Sequence, residues 1–162
     1  ALRHGELDVL ILALPIEIGN MASRVVGKDP FRMVISRHQA DRIRVPIKYD
    51  DLPDESVFLL ENEHCLTEHA VSACKLTDKE KINPFTATSL HTLVQMVANG
   101  LGMTLLPAMS VAADVLGDTH LSIKHFSSDN VNRQIGMAWR KTDPRREEYL
   151  LLADYIKRHV SH

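Results

Sequence analysis

The sequence predicts an α/β fold with mainly parallel strand pairing, on three observations. Short apolar runs of strand length, such as Val57-Phe58-Leu59-Leu60, recur along the chain. Stretches with helical apolar spacing lie between them. Two of those stretches carry start signals: Ser89 before Leu90, and Asp143-Pro144 before the last periodic run.

Residues 7–12 form a buried-strand candidate, followed by a loop at Pro15 and Gly19-Asn20. Residues 21–26 have strand character, and 31–36 form a clearer strand with alternating sides. A polar turn at 50–54 leads to the apolar strand 57–60. From Leu66 the spacing of Leu66, Ala70, Val71 and Ala73 is helical. After a charged link at 78–81 and an extended piece at 83–86, Ser89 can cap the best helix in the chain. Leu90, Leu93, Val94, Val97, Ala98 and Leu101 make its apolar stripe, and Gly100 suits a left-handed C-terminal cap. A strand at 103–106 closes at Pro107, and 108–113 reads as a short helix. Strands at 121–123 and 135–139 follow. The last helix has Asp143 at its cap, Pro144 at its first position, and Tyr149, Leu152, Ala153, Ile156 and Val160 on one face. There is no repeat and no low-complexity segment.

With 162 residues, the chain can form one domain or two small lobes. Its 44% hydrophobic and 25% charged content is that of an ordinary soluble protein. A formal charge of −2 gives no basic footprint for nucleic acid, so any DNA contact must come from another segment. No apolar run reaches membrane-spanning length, and the opening residues lack the apolar core of a signal peptide. A core strand this near the first residue suggests a fragment. Two cysteines do not make a stapled secreted scaffold, so a reducing, cytoplasmic compartment is expected.

Both cysteines lie in the run Glu61-Asn62-Glu63-His64-Cys65-Leu66-Thr67-Glu68-His69, continued to Cys74. Cys65 falls at the amino end of the expected helix, where free N–H groups and the macrodipole favour a thiolate. In a continuous helix nine residues rise about 13.5 Å and rotate roughly 180°. A disulfide needs Cα atoms within about 7 Å. If the two sulfurs bond, the helix must melt. Spacing alone leaves open the plainer reading, in which both are small apolar residues. Cys65 and His69 are also four apart, near His64, Glu61 and Glu68, but no second ligand pair anchors a metal site and none is expected.

The segment Asn99-Gly100-Leu101-Gly102-Met103-Thr104-Leu105-Leu106-Pro107, following a capped amphipathic helix, resembles the effector-binding domain of LysR-type transcriptional regulators. Glu63-His64-Cys65-Leu66, Cys74, Ala87-Thr88-Ser89-Leu90 and Arg133-Gln134-Ile135-Gly136 resemble the hydrogen-peroxide-sensing members of that family. The resemblance runs over nearly the whole chain. It implies a periplasmic-binding-protein-like (type 2) regulatory domain of two Rossmann-like lobes, the first incomplete. Residues 1–27 and 134–162 would form lobe I and 28–133 lobe II, which carries the redox cysteines.

The resemblance further implies that peroxide oxidises Cys65, that Cys74 resolves it as a disulfide, and that Arg133 stabilises the thiolate. His64 and Leu66 would shape the pocket. Thr104 is expected in strand packing rather than in contact with peroxide. Ser89 is first a helix cap, although this helix start faces the ligand cleft in many LysR-type proteins. The implied partners are a second copy of the chain (a tetramer at full length) and a glutaredoxin- or thioredoxin-like reductant. DNA and RNA polymerase would be reached only through the full-length protein, because the winged helix-turn-helix is absent. No cofactor, membrane partner or enzymatic turnover is expected. Two alternatives stay open: a LysR-type domain binding a small organic effector, and a thiol peroxidase.

Overall fold

The structure is a computed structural model that describes residues 2, 6–15, 19–43, 45–61, 64–73, 79–117, 119–126 and 131–160. The chain forms two compact units, Ala1–Asp29 with Arg133–His162 (unit 1) and Pro30–Asn132 (unit 2). Strand β2 (Met21–Ser36) supplies both. The sequence reading gives two strands, 21–26 and 31–36, yet the strand is continuous. Pro30 sits where β2 changes partners, since its ladder with β4 (Met103–Pro107) starts only at Phe31, so no pairing N–H is missed there.

In unit 1, β1 (Val9–Leu14) lies two residues later than expected. It pairs antiparallel with β6 (Asn132–Arg140) from Val9↔Trp139 to Leu14↔Gln134, and β2 lies on the other side of β6. Val26, Ile135, Met137 and Trp139 form the core with Tyr149 and Ala153 of α5 (Arg146–Val160). The rings of Trp139 and Tyr149 are 5.9 Å apart and tilted by 45°. Leu152, expected on the buried face, is 44% exposed beside Leu151 and Tyr155, because Tyr149 and Ala153 point the helix inward through a narrower stripe.

The start of α5 is held by charge. Asp143, with a buried side chain, accepts from the Arg145 backbone N–H and Nε at 3.0 Å each, Arg140 Nη2 at 2.8 Å and the Tyr149 hydroxyl at 3.1 Å. Asp143 therefore caps the chain ahead of a helix that begins at Arg146, later than Pro144 suggested. Arg140 also donates to the carbonyls of Leu2 and Leu7, and Asp8 pairs with both arginines.

Unit 2 corrects the expectation of mainly parallel pairing. β3 (Val57–Phe58) and β4 (Met103–Pro107) are parallel, but β2 runs antiparallel to both β4 and β5 (Leu121–Lys124). β4 and β5, joined through α4 (Ala108–Ala112), still share one direction. β2 is inserted between them against the grain, which turns a parallel crossover into two antiparallel contacts.

Three further helices complete unit 2: α1 (Arg37–Ala40), α2 (His64–Ala73) and α3 (Leu90–Ala98). Val34, Val94, Val97, Leu106 and Leu121 pack one cluster beneath α3. Gly100 has φ +76° and ends α3 as expected. Leu101, assigned to the stripe, lies past that left-handed turn and is 63% exposed. Among the described residues, no helix is long and apolar enough to cross a membrane.

Two outcomes follow from this packing. A Cβ on Gly102 would stand 2.5 Å from the Ser56 carbonyl oxygen and 2.6 Å from the Phe58 ring. Gly102→Ala should therefore cost about 1–3 kcal/mol in urea unfolding followed by far-UV circular dichroism.

The second outcome concerns pH. The Arg145 guanidinium, with the Tyr149 hydroxyl and Arg140, holds the Asp143 carboxyl well below the usual carboxylate range. A carboxylate depressed on folding stabilises above its unfolded pKa of about 3.9, and that contribution is lost as pH falls toward the folded value. Unfolding followed by the fluorescence of Trp139, the chain's one tryptophan, should thus shift to lower temperature below about pH 4. Asp143→Asn should be less stable at neutral pH and show a flatter acid profile.

Candidate functional site

Val57, Phe58, Leu59 and Leu60 are all buried. Beyond β3 the segment is fixed by an isolated bridge from Leu60 to Ala87, in which Ala87 N–H donates to Leu59 O (3.0 Å) and Glu61 N–H to Ala87 O (2.9 Å). An apolar strand end pinned in this way sets where the next helix can begin. That helix is α2, starting at His64.

Cys65 is the second residue of α2, so its backbone lies in the first turn, where N–H groups lack intrahelical acceptors. That is the placement expected from the sequence, and it favours an anionic group. The side chains of His64, Cys65 and Leu66, and all of Cys74, lie outside the described residues. Cys74 follows Ala73, the last residue of α2. Farther along the helix, His69 and Ala70 are buried while Glu68 and Ser72 face solvent. Thr67 Oγ1 donates to the Leu60 carbonyl at 2.9 Å.

Thr104 is buried in β4 and its hydroxyl donates to the Phe58 carbonyl at 2.9 Å. It is occupied with holding β4 to β3, as strand packing requires. Between α2 and these strands lies a hollow of about 10 Å³, bounded by Thr67 and Ala70 of α2, Thr104 of β4, and leucines of the β3 segment, β4 and α3. Ser89 Oγ accepts the Thr92 N–H at 3.1 Å and caps α3, which places it at the helix start rather than against α2. An open pocket of about 310 Å³ lies between Arg42 and Leu52, and among the described residues none of α2 lines it.

Arg133 belongs to unit 1. Its Nε and Nη2 grip Oδ2 of Asp29 at 3.1 and 3.0 Å, and the Asp29 side chain is fully buried. Asp29 was not singled out from the sequence, where it falls between the expected strands 21–26 and 31–36. Its partner is 104 residues away, beyond any local pattern. Thr67 was passed over for a similar reason: a polar residue on an exposed-looking helix turn gives no sign that it reaches back to a buried carbonyl.

A family model described as LysR substrate binding domain matches residues 1–161. The reduced form of the regulatory domain of OxyR2 from Vibrio vulnificus is 66% identical, with a TM-score of 0.85 over 97% of this chain and 74% of that one. The same domain has been solved with a cysteine replaced by serine. The HTH-type transcriptional regulator EstR of Acinetobacter baylyi is 33% identical over 158 residues, 97% of this chain and 52% of EstR. The DNA-binding transcriptional dual regulator OxyR of Escherichia coli is 33% identical over 156 residues, 96% of this chain and 51% of that protein. The chain spans about half the length of the curated relatives it matches.

Removing the Arg133 guanidinium takes this ion pair away from a buried carboxylate. Arg133→Ala should destabilise unit 1 by about 3 kcal/mol, read from Trp139 fluorescence in urea. Arg133→Lys, which cannot reproduce the planar grip, should recover only part of the loss.

Proposed function

From the premise that this chain belongs to the LysR substrate-binding-domain family, we propose that it is the peroxide-sensing regulatory domain of a transcription factor, with Cys65 and Cys74 as its redox pair. The observation that carries the reading is the position of α2: Cys65 lies in its first turn and Cys74 directly follows its last residue. The Vibrio and Escherichia relatives, named as OxyR proteins, support it.

The chemistry balances in two steps. The Cys65 thiolate attacks one oxygen of hydrogen peroxide; an S–O bond forms, the O–O bond breaks, and hydroxide leaves to be protonated to water. The Cys74 sulfur then attacks the sulfenic sulfur, forming the S–S bond and releasing a second water. A helix from His64 to Ala73 holds the two ends of this segment too far apart for that bond, so α2 unwinds as the disulfide closes. A glutaredoxin- or thioredoxin-like dithiol returns two electrons and resets the protein.

In this reading residues 1–27 and 134–162 form lobe I and 28–133 lobe II, bounds that differ from the two compact units by two residues at Asp29 and one at Arg133. His64 and Leu66 shape the pocket around Cys65, and Arg133 stabilises its thiolate while also serving Asp29. Ser89 presents the start of α3, and Thr104 braces the strand floor. The chain works in the cytoplasm as a homodimer, and as a tetramer at full length. It reaches DNA and RNA polymerase through the full-length protein. One peroxide is consumed per oxidation, without enzymatic turnover.

The 33% identity to EstR, whose name does not mention peroxide, favours a second reading in which a small organic effector binds and the cysteines are incidental. A stoichiometric peroxide pulse followed by mass spectrometry separates the two. The expected product is an intramolecular Cys65–Cys74 bond, absent in Cys65→Ser and replaced by a trappable sulfenic acid in Cys74→Ser. Wild-type protein that forms no such bond overturns the sensor reading, and sustained peroxide consumption with a reductase system favours a thiol peroxidase.

A further inference from the structure

If α2 must unwind for the sensor to act, what holds it folded sets how readily it responds. Among the described residues, little apolar side-chain volume packs beneath the helix. Ala70 is its fully buried apolar contact with the main cluster of unit 2, and Val71 is partly buried. A hollow of about 10 Å³ lies under the same face, lined by Thr67 and Ala70. Its walls forgo the dispersion contacts that a filled core would make there.

Beside that packing stands a polar bond from Thr67 Oγ1 to the Leu60 carbonyl. Leu60 is 5% exposed. The bridge to Ala87 uses the carbonyl of Leu59 and the N–H of Glu61, which leaves the Leu60 carbonyl turned toward α2. The bond spans the turn into the helix and ties its first turn, two residues beyond Cys65, to the bridged end of the β3 segment. Unwinding α2 withdraws the hydroxyl and leaves a buried carbonyl to be rehydrated or orphaned.

The geometry points to Thr67 as the latch of α2: a positioning residue that holds the Cys65-bearing turn in register and sets the ease with which the helix opens. This deepens the sensor reading and rests on it for its consequence, though not for the latch itself. Thr104 makes an equivalent hydroxyl-to-carbonyl bond on the other side of the hollow, but from strand to strand, and so does not restrain the helix.

The test compares Thr67→Val, which keeps the shape and removes the donor, with Thr67→Ser, which keeps the donor. In the reduced protein, amide hydrogen exchange across α2 should be about tenfold faster in Thr67→Val, the size of one lost buried hydrogen bond. It should stay near wild type in Thr67→Ser and in Thr104→Val. Peroxide-driven Cys65–Cys74 bonding should quicken in Thr67→Val in the same order. Should Thr67→Val not fold, Thr67→Ala, which removes the hydroxyl without adding apolar bulk, carries the same comparison. Exchange in α2 equal to wild type, or faster exchange spread evenly through α3 and β4, overturns the latch. If no variant forms the disulfide, the sensor reading fails while the exchange data still decide the latch.

Discussion

A disulfide can join Cα atoms no more than about 7 Å apart, and a helix running from His64 to Ala73 is longer than that. This mismatch governs the segment. The buried run Val57 to Leu60 and its bridge to Ala87 fix where α2 starts. The start of α2 fixes Cys65 in the first turn, with its unspent N–H groups. Chemistry that links the cysteines is thereby obliged to become a change in backbone. The small side chain of Ala70 limits how much apolar contact that change gives up.

The two units are secured by different physics. Unit 1 relies on guanidinium–carboxylate contacts: Arg133 with Asp29, and Arg140 and Arg145 with Asp143 and Asp8. Unit 2 holds the larger apolar clusters, from Phe31, Met33 and Ile35 to Leu93 and Leu106. Protonation of Asp143 and Asp8 therefore bears on unit 1, whereas both cysteines belong to unit 2.

Local features were legible in the sequence. Ser89 caps α3, Gly100 closes it and Cys65 opens α2, because each depends on neighbours within a turn. What stayed hidden depends on distant partners. The expected strands 21–26 and 31–36 stop short of each other, and distant pairing with β6, β4 and β5 makes β2 continuous. Strand direction was misjudged because alternation of elements does not reveal that β2 lies between β4 and β5. Leu101 and Leu152 fitted a helical period but fell outside the arc their helices bury. Of the site, the cysteine helix was readable; the Thr67 hydroxyl and the Asp29 carboxylate were not, since nothing in sequence shows which buried group a polar side chain will meet.

The pairing of Val9 with Trp139 has a consequence for biosynthesis. Unit 2 is one uninterrupted stretch, Pro30 to Asn132, and has all its strands once that stretch has left the ribosome. Unit 1 cannot close until β6 and α5 emerge, so β1 waits through more than a hundred codons with its apolar side chains unpaired. A chain halted with residues 30–132 emerged and β6 and α5 still inside the ribosome would thus have its cysteine-bearing unit finished while β1 still lacks its β6 partner.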